Sequence, residues 1–285
     1  MGTEPHLTWN LLADVGHLFD FPFMVNAMCA GTIVAVMSGA IGWYMVTRRQ
    51  TFAGHTLAVV GFPGAAGATL LGIGADVGFF SFCLAGALVI AVVPRARSAR
   101  LGEESAVIGT VQAFALATGF LFMTLYHGNL SAVNSLLFGS YLGISTVQLR
   151  ILLGVAVAAC AVLAFIGRPL LFASLDPAVA GASGVPVGTL SFAFLVVLGF
   201  AAAEASQITG SLLVFALLVL PAATAQLMTP RPARGVMVSI ALALVTTWVA
   251  LGVAYYTPYP IGFWVTTLAF GSYVVTLAVR RVRRA

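Results

Sequence analysis

Residues 172–188 read FASLDPAVAGASGVPVG and link two apolar runs long enough to cross a membrane, 149–171 and 188–205. They spell a small, complete helix at about 174–185. Asp176 offers a carboxylate to the free backbone amides of a first turn, Pro177 suits the first helical position, and Ala178 to Ala182 propagate the helix. Gly184 stops it, and Pro186 keeps it from resuming. The piece is almost free of charge and carries Leu175, Val179 and Val185, so it shows an apolar surface that calls for a cover. A helix resting on lipid headgroups would bring Arg or Trp anchors, and this loop has neither; a protein partner is the better cover.

Outward from this loop the chain is apolar nearly throughout. Of its 285 residues 61% are hydrophobic and 7% charged, against about 45–50% and about 25% in soluble domains. Apolar runs and polar breaks give nine candidate spans, at approximately 22–46, 53–75, 78–94, 104–126, 149–171, 188–205, 209–229, 235–256 and 262–280, with eight also compatible. The expected fold is an all-α integral membrane protein, a polytopic helical bundle forming one transmembrane domain over 22–280. An outer interfacial segment, 1–21, precedes it and a basic cytoplasmic tail, 281–285, follows. Disorder, a disulfide scaffold and nucleic-acid binding are excluded.

The 13 basic residues are all Arg. A chain without Lys can supply neither a Walker nucleotide loop nor a Schiff base. Cys29, Cys83 and Cys160 lie singly in apolar runs and read as packing residues. No Arg precedes the first apolar run, so the N-terminus lacks the basic region of a cleaved signal and the first span is expected to be retained.

Cytoplasmic loops hold the excess of positive charge. With the N-terminus outside, the inner loops collect Arg48 and Arg49, then Arg95, Arg97 and Arg100, then Arg168, then Arg231 and Arg234, and last Arg280, Arg281, Arg283 and Arg284; only Arg150 falls outside. The net charge of +5 is therefore mainly topology, N-terminus out and C-terminus in. Residues 7–20 read as an amphipathic helix on the outer interface. The segment 127–148 is too polar to span yet too apolar for water, which suits a re-entrant or half-helix element buried in protein.

Small residues four apart, Gly31, Ala35 and Gly39 in the first span and Gly64, Ala68 and Gly72 in the second, predict close helix contacts. Pro63 and Pro221 each remove a backbone donor and free the carbonyls of Val59 and Leu217. Such prolines are either packing kinks or kinks that line a path.

At this point the sequence becomes recognisable. SLDPAVAGASGVPV resembles the coupling-helix segment of permeases of the ATP-binding-cassette family that imports zinc, manganese and iron. ITGSLLVFALLVLPAATAQL (208–227), ESAVIGTVQAFALATG (104–119), LLFGSYLGIS (136–145) and AGHTLAVVGFPGAAGATLLG (53–72) are similar to further family segments, in family order. The resemblance implies a type II importer fold in the bacterial cytoplasmic membrane: a homodimer of permeases around one path, ATPase subunits docked on the coupling helices, and an extracytoplasmic metal-binding protein. ATP would be hydrolysed by the partner chain, the permease itself being no enzyme and holding no resident cofactor. Asp176, Pro177, Ala178, Val179 and Gly184 would carry ATPase closure to the spans. A stand-alone secondary transporter or channel for a cation or small metabolite is the alternative, although such carriers commonly show inverted repeats and paired intramembrane charges that are not evident here.

Two residues stand out as metal-path candidates. His55 is the histidine that falls in a span, and imidazole is a good ligand for zinc and acceptable for manganese or iron. The resemblance places it at a pathway His, with Thr51 where the family usually has an Asp. Glu204 is the carboxylate set in an apolar run, where a charge costs roughly 2.5–3.5 kcal/mol; Ser206, Gln207 and Thr209 after it favour an interfacial turn over a path residue. His6, His17 and His127 read as outer-face residues.

Overall fold

A computed structural model describes residues 20–92, 101–126, 139, 143–211 and 214–283 of the chain. Among them are ten α-helices: α1 (Pro22–Thr47), α2 (Thr51–Leu70), α3 (Ala75–Val92), α4 (Leu101–Leu125), α5 (Thr146–Leu175), α6 (Pro177–Ala182), α7 (Val187–Thr209), α8 (Val214–Met228), α9 (Pro232–Tyr256) and α10 (Ile261–Val282). Six of them, α1, α4, α5, α7, α9 and α10, are long and apolar enough to cross a membrane, and the apolar stretches Ala75–Ala91 and Val214–Met228 are shorter.

The bundle is built around α1 and α7, the most deeply buried of the six. On one side α2 packs on α3 and α4, and α3 on α7; on the other, α8 packs on α1, α9 and α10. The main core runs through both sides and includes Val34, Met37, Ile41, Leu57, Leu195, Leu198 and Leu217. Apolar side chains gain little from leaving lipid for one another, so close backbone approach and interhelical hydrogen bonds must hold such helices together. Both are present. Gly64 and Gly78 bring α2 and α3 so near that a Cβ on either would overlap the other's carbonyl oxygen. Ser239 Oγ of α9 donates to Gly39 O of α1 at 2.7 Å, and Trp248 Nε1 donates to Thr32 Oγ1 at 2.9 Å.

Several expectations shift. Gly72 belongs to no packing seam: at φ 73° it ends α2, with Ile73 N donating to Ala68 O at 2.8 Å. The seventh expected span is shorter than read, because α7 continues to Thr209 and Gly210, at φ 80°, breaks the chain before α8. The expected outer segment up to residue 19, the inner Arg95, Arg97 and Arg100, and 127–138 with 140–142 lie outside the described residues. Of the proposed re-entrant element, Gly139 rests on the backbone of 208–210, and Ile144 is buried, its carbonyl accepting from Asn26 Nδ2 at 3.1 Å.

Candidate functional site

The short helix α6 is capped as its sequence requires. Asp176 Oδ1 accepts from the amides of Ala178 at 3.1 Å and Val179 at 3.0 Å, and Pro177 opens the helix. At the far end Gly184 adopts φ 81°, Gly184 N donates to Gly181 O at 3.1 Å, and Val185 N donates to Ala180 O at 3.0 Å. This pair of bonds stops a helix with a left-handed residue, and Gly meets the need without steric penalty. Ala180 turns inward and is buried, while Leu175 and Val179 are 72% and 51% exposed. Val185 departs from expectation: it is half-buried against the main core. The uncovered apolar surface of α6 is thus centred on Leu175 and Val179.

A polar knot sits at the same end of the bundle. Arg48, just past α1, donates through Nη1 to Ser174 Oγ of α5 at 2.9 Å and through Nη2 to Ser191 Oγ of α7 at 2.7 Å. Its Nε donates to Gln50 Oε1 at 3.2 Å, and Cζ lies 5.4 Å from the centre of the Phe194 ring. Arg49 beside it is exposed and takes φ 57°. Gln50 N donates to Met45 O at 3.0 Å and Arg49 N to Val46 O at 3.1 Å, the same helix stop as at Gly184 but with a side chain in the left-handed position. The charge distribution had assigned both arginines to topology alone. Sequence offered no signal separating them, because the serines lie 126 and 143 residues away.

His55 occupies the second turn of α2. Its ring meets Phe215 of α8 edge to face, centroids 5.2 Å apart, and its Nδ1 is buried with no hydrogen-bond partner among the described residues. The next residue, Thr56, donates to Gln112 Oε1 of α4 at 3.0 Å. Thr51 is the first residue of α2, so it adds a hydroxyl and no charge near His55.

Glu204 is not an interfacial turn residue. It lies within α7, fully buried, and neither carboxylate oxygen has a hydrogen-bond partner among the described residues. Ser206 Oγ and Gln207 Nε2, close by on α7, are buried and unpartnered in the same way. Gln207 Oε1 accepts from Gln148 Nε2 of α5 at 3.4 Å, and that amide also reaches Asp76 Oδ1 of α3 at 3.4 Å. This long-bonded polar chain leads from the start of α3 toward Glu204.

His55 and Glu204 are not one site. A Cβ on Gly54 would come within 3.7 Å of Leu198 Cδ1, which sets the level of His55 on α7. Glu204 lies six residues further along that helix, about 9 Å at 1.5 Å per residue. Among the described residues no three His, Cys, Asp or Glu side chains gather as a metal site. Pro63 and Pro221 are both buried inside continuous helices, α2 and α8. The arrangement is two separated polar positions in an apolar bundle.

Long apolar helices tied by small residues, with polar groups sequestered between them and a capped short helix with an uncovered apolar tip, make a membrane-spanning helical bundle. Residues 20–280 match the ABC 3 transport family, and the chain belongs to it. It is 29% identical over 222 residues to the manganese transport system membrane protein MntC of Halalkalibacterium halodurans, covering 78% of this chain and 75% of that one. It is 28% identical over 253 residues to the chelated iron transport system membrane protein YfeC of Yersinia pestis, covering 88% and 84%. In fold it is similar to a chain of PsaBC from Streptococcus pneumoniae in complex with Fab, with a TM-score of 0.83 at 24% identity over 93% of this chain and 95% of that one. The chain is thus a transporter component, an all-helical permease.

Proposed function

We propose that the chain is the permease subunit of an ATP-driven importer of a divalent transition metal in the bacterial cytoplasmic membrane. Within the zinc, manganese and iron range implied by the sequence resemblance, the relatives' names favour manganese and iron. The observation that carries the reading is α6: a short helix, capped at both ends, holding Leu175 and Val179 uncovered in a chain whose sequence has no nucleotide loop. An ATPase subunit seated on α6 would supply both the cover and the energy. Asp176, Pro177, Ala178, Val179 and Gly184 keep that helix formed and pass its displacement to α5 and α7 as a rigid-body motion.

Two copies of the chain would enclose the path, and an extracytoplasmic binding protein would deliver the metal. The Arg distribution supports an outer N-terminus and an inner C-terminus, with 1–21 on the outer interface, 22–280 as the transmembrane domain and 281–285 as the tail. His55 and Glu204 are the transient metal contacts, each presenting a buried polar atom without a hydrogen-bond partner among the described residues, and Pro63 and Pro221 are the kinks beside the path. The test is co-purification of the permease with a soluble ATPase subunit. Val179→Arg should abolish the association while the permease remains monodisperse and helical; unaltered ATPase binding would overturn the assignment of α6.

A further inference from the structure

Arg48 has more partners than an inner-loop charge needs. Its guanidinium bridges Ser174, in the last turn of α5, and Ser191, near the start of α7, at 2.9 Å and 2.7 Å. These are the two helices that enter and leave α6. Ser191 is 3% exposed, and Ser174 Oγ donates its own hydrogen bond to Leu170 O, which leaves its lone pairs to accept from the guanidinium. Gln50 and Phe194 hold the Arg48 side chain from the other sides. The planar fork of arginine is what can engage two acceptors on different helices at once; an ammonium would act as a point donor.

Arg48 is also the last residue before the turn into α2, and His55 lies in the second turn of that helix. Among the described helices, α6 packs chiefly on α5 and α7. A push on α6 therefore reaches α5 and α7 directly; α1 packs on both of these helices and α2 on α7, and the Arg48 bridge pins the α1–α2 turn to both by directed hydrogen bonds.

The geometry points to Arg48 as a positioning residue that links motion of α6 to α2 and thereby sets how much metal moves per ATP hydrolysed. This rests on the reading of α6 as the ATPase contact. On this reading Arg48 acts through Ser174 and Ser191.

The experiment reconstitutes the permease with its ATPase in liposomes and supplies the binding protein loaded with Mn2+. Three quantities are read: ATPase bound per permease, ATP hydrolysed, and Mn2+ taken up. Arg48→Gln should bind ATPase as wild type and hydrolyse ATP, with uptake per ATP reduced by about tenfold. The double variant Ser174→Ala/Ser191→Ala should show much of the same loss, and adding it to Arg48→Gln should bring little more, since residues acting as one unit are not additive. Arg48→Lys should recover only part.

Wild-type uptake per ATP in Arg48→Gln, or fully additive losses in the triple variant, would overturn the proposal. If Arg48→Gln does not assemble, the double serine variant decides by the same ratio. Failure of the α6 reading is distinct: it appears as ATPase still bound to Val179→Arg, whatever the Arg48 variants do.

Discussion

The end of the bundle that carries α6 and the interior around Glu204 treat polar groups in opposite ways. At Arg48 the guanidinium nitrogens Nε, Nη1 and Nη2 all find acceptors on three segments of chain, and α6 has its first amides and its last turn capped. Around Glu204 the two carboxylate oxygens, Ser206 Oγ and Gln207 Nε2 are buried without hydrogen-bond partners among the described residues. Buried polar groups are normally satisfied, and the exceptions need a reason. A satisfied network rigidifies, whereas an unsatisfied group is costly unless something periodically pairs with it. On the proposed reading, the first end moves as a unit and the interior receives a cation in passing.

The largest effect that would break this contrast concerns Glu204. Glu204→Gln keeps the shape and removes the charge; Mn2+ uptake by the reconstituted complex should fall at least about tenfold while ATPase binding is unchanged. Full uptake would return Glu204 to a packing role. His55→Ala should also lower uptake, by several-fold, with the complex intact, since imidazole is a weak ligand for manganese. Wild-type rates in vesicles carrying this variant would retire His55.

Next in size is packing. Gly64→Val places a branched side chain against the Gly78 carbonyl, and overpacking of this kind costs typically about 1–3 kcal/mol, read as a lower midpoint in thermal unfolding in detergent. An unchanged midpoint would mean that the α2–α3 contact is looser than the structure gives. The smallest effect is at the well-bonded end. Asp176→Ala deletes the cap of α6, worth about 1 kcal/mol, and should weaken ATPase association by about five- to tenfold without altering the fold of the bundle; it should not match the loss caused by Val179→Arg.

What could be read in the sequence follows the range of the interactions. The caps of α6 lie within a few residues of the groups they satisfy, so the Asp176, Pro177 and Gly184 pattern was legible directly. Gly64 showed its role through spacing on one helix face, whereas Gly72, in the same pattern, turned out to end the helix, because four-residue spacing does not reveal where a helix stops. Glu204 was ambiguous for a related reason: polar neighbours suggested a turn, and only the continuation of α7 to Thr209 places it inside the bundle. Val185 is tucked against the core by the return of the chain after Gly184, a tertiary effect. Arg48 was beyond reach, since its serine partners are 126 and 143 residues distant and a charge count treats it like Arg49.

The most direct measurement of the central claim is ATP-dependent metal uptake by the permease reconstituted with its ATPase and binding protein, compared across manganese, iron and zinc. Uptake of manganese or iron that requires ATP and disappears with Val179→Arg is the expected result. Metal uptake that proceeds at the same rate without the ATPase, or an ATPase rate indifferent to every metal-loaded binding protein, would contradict it.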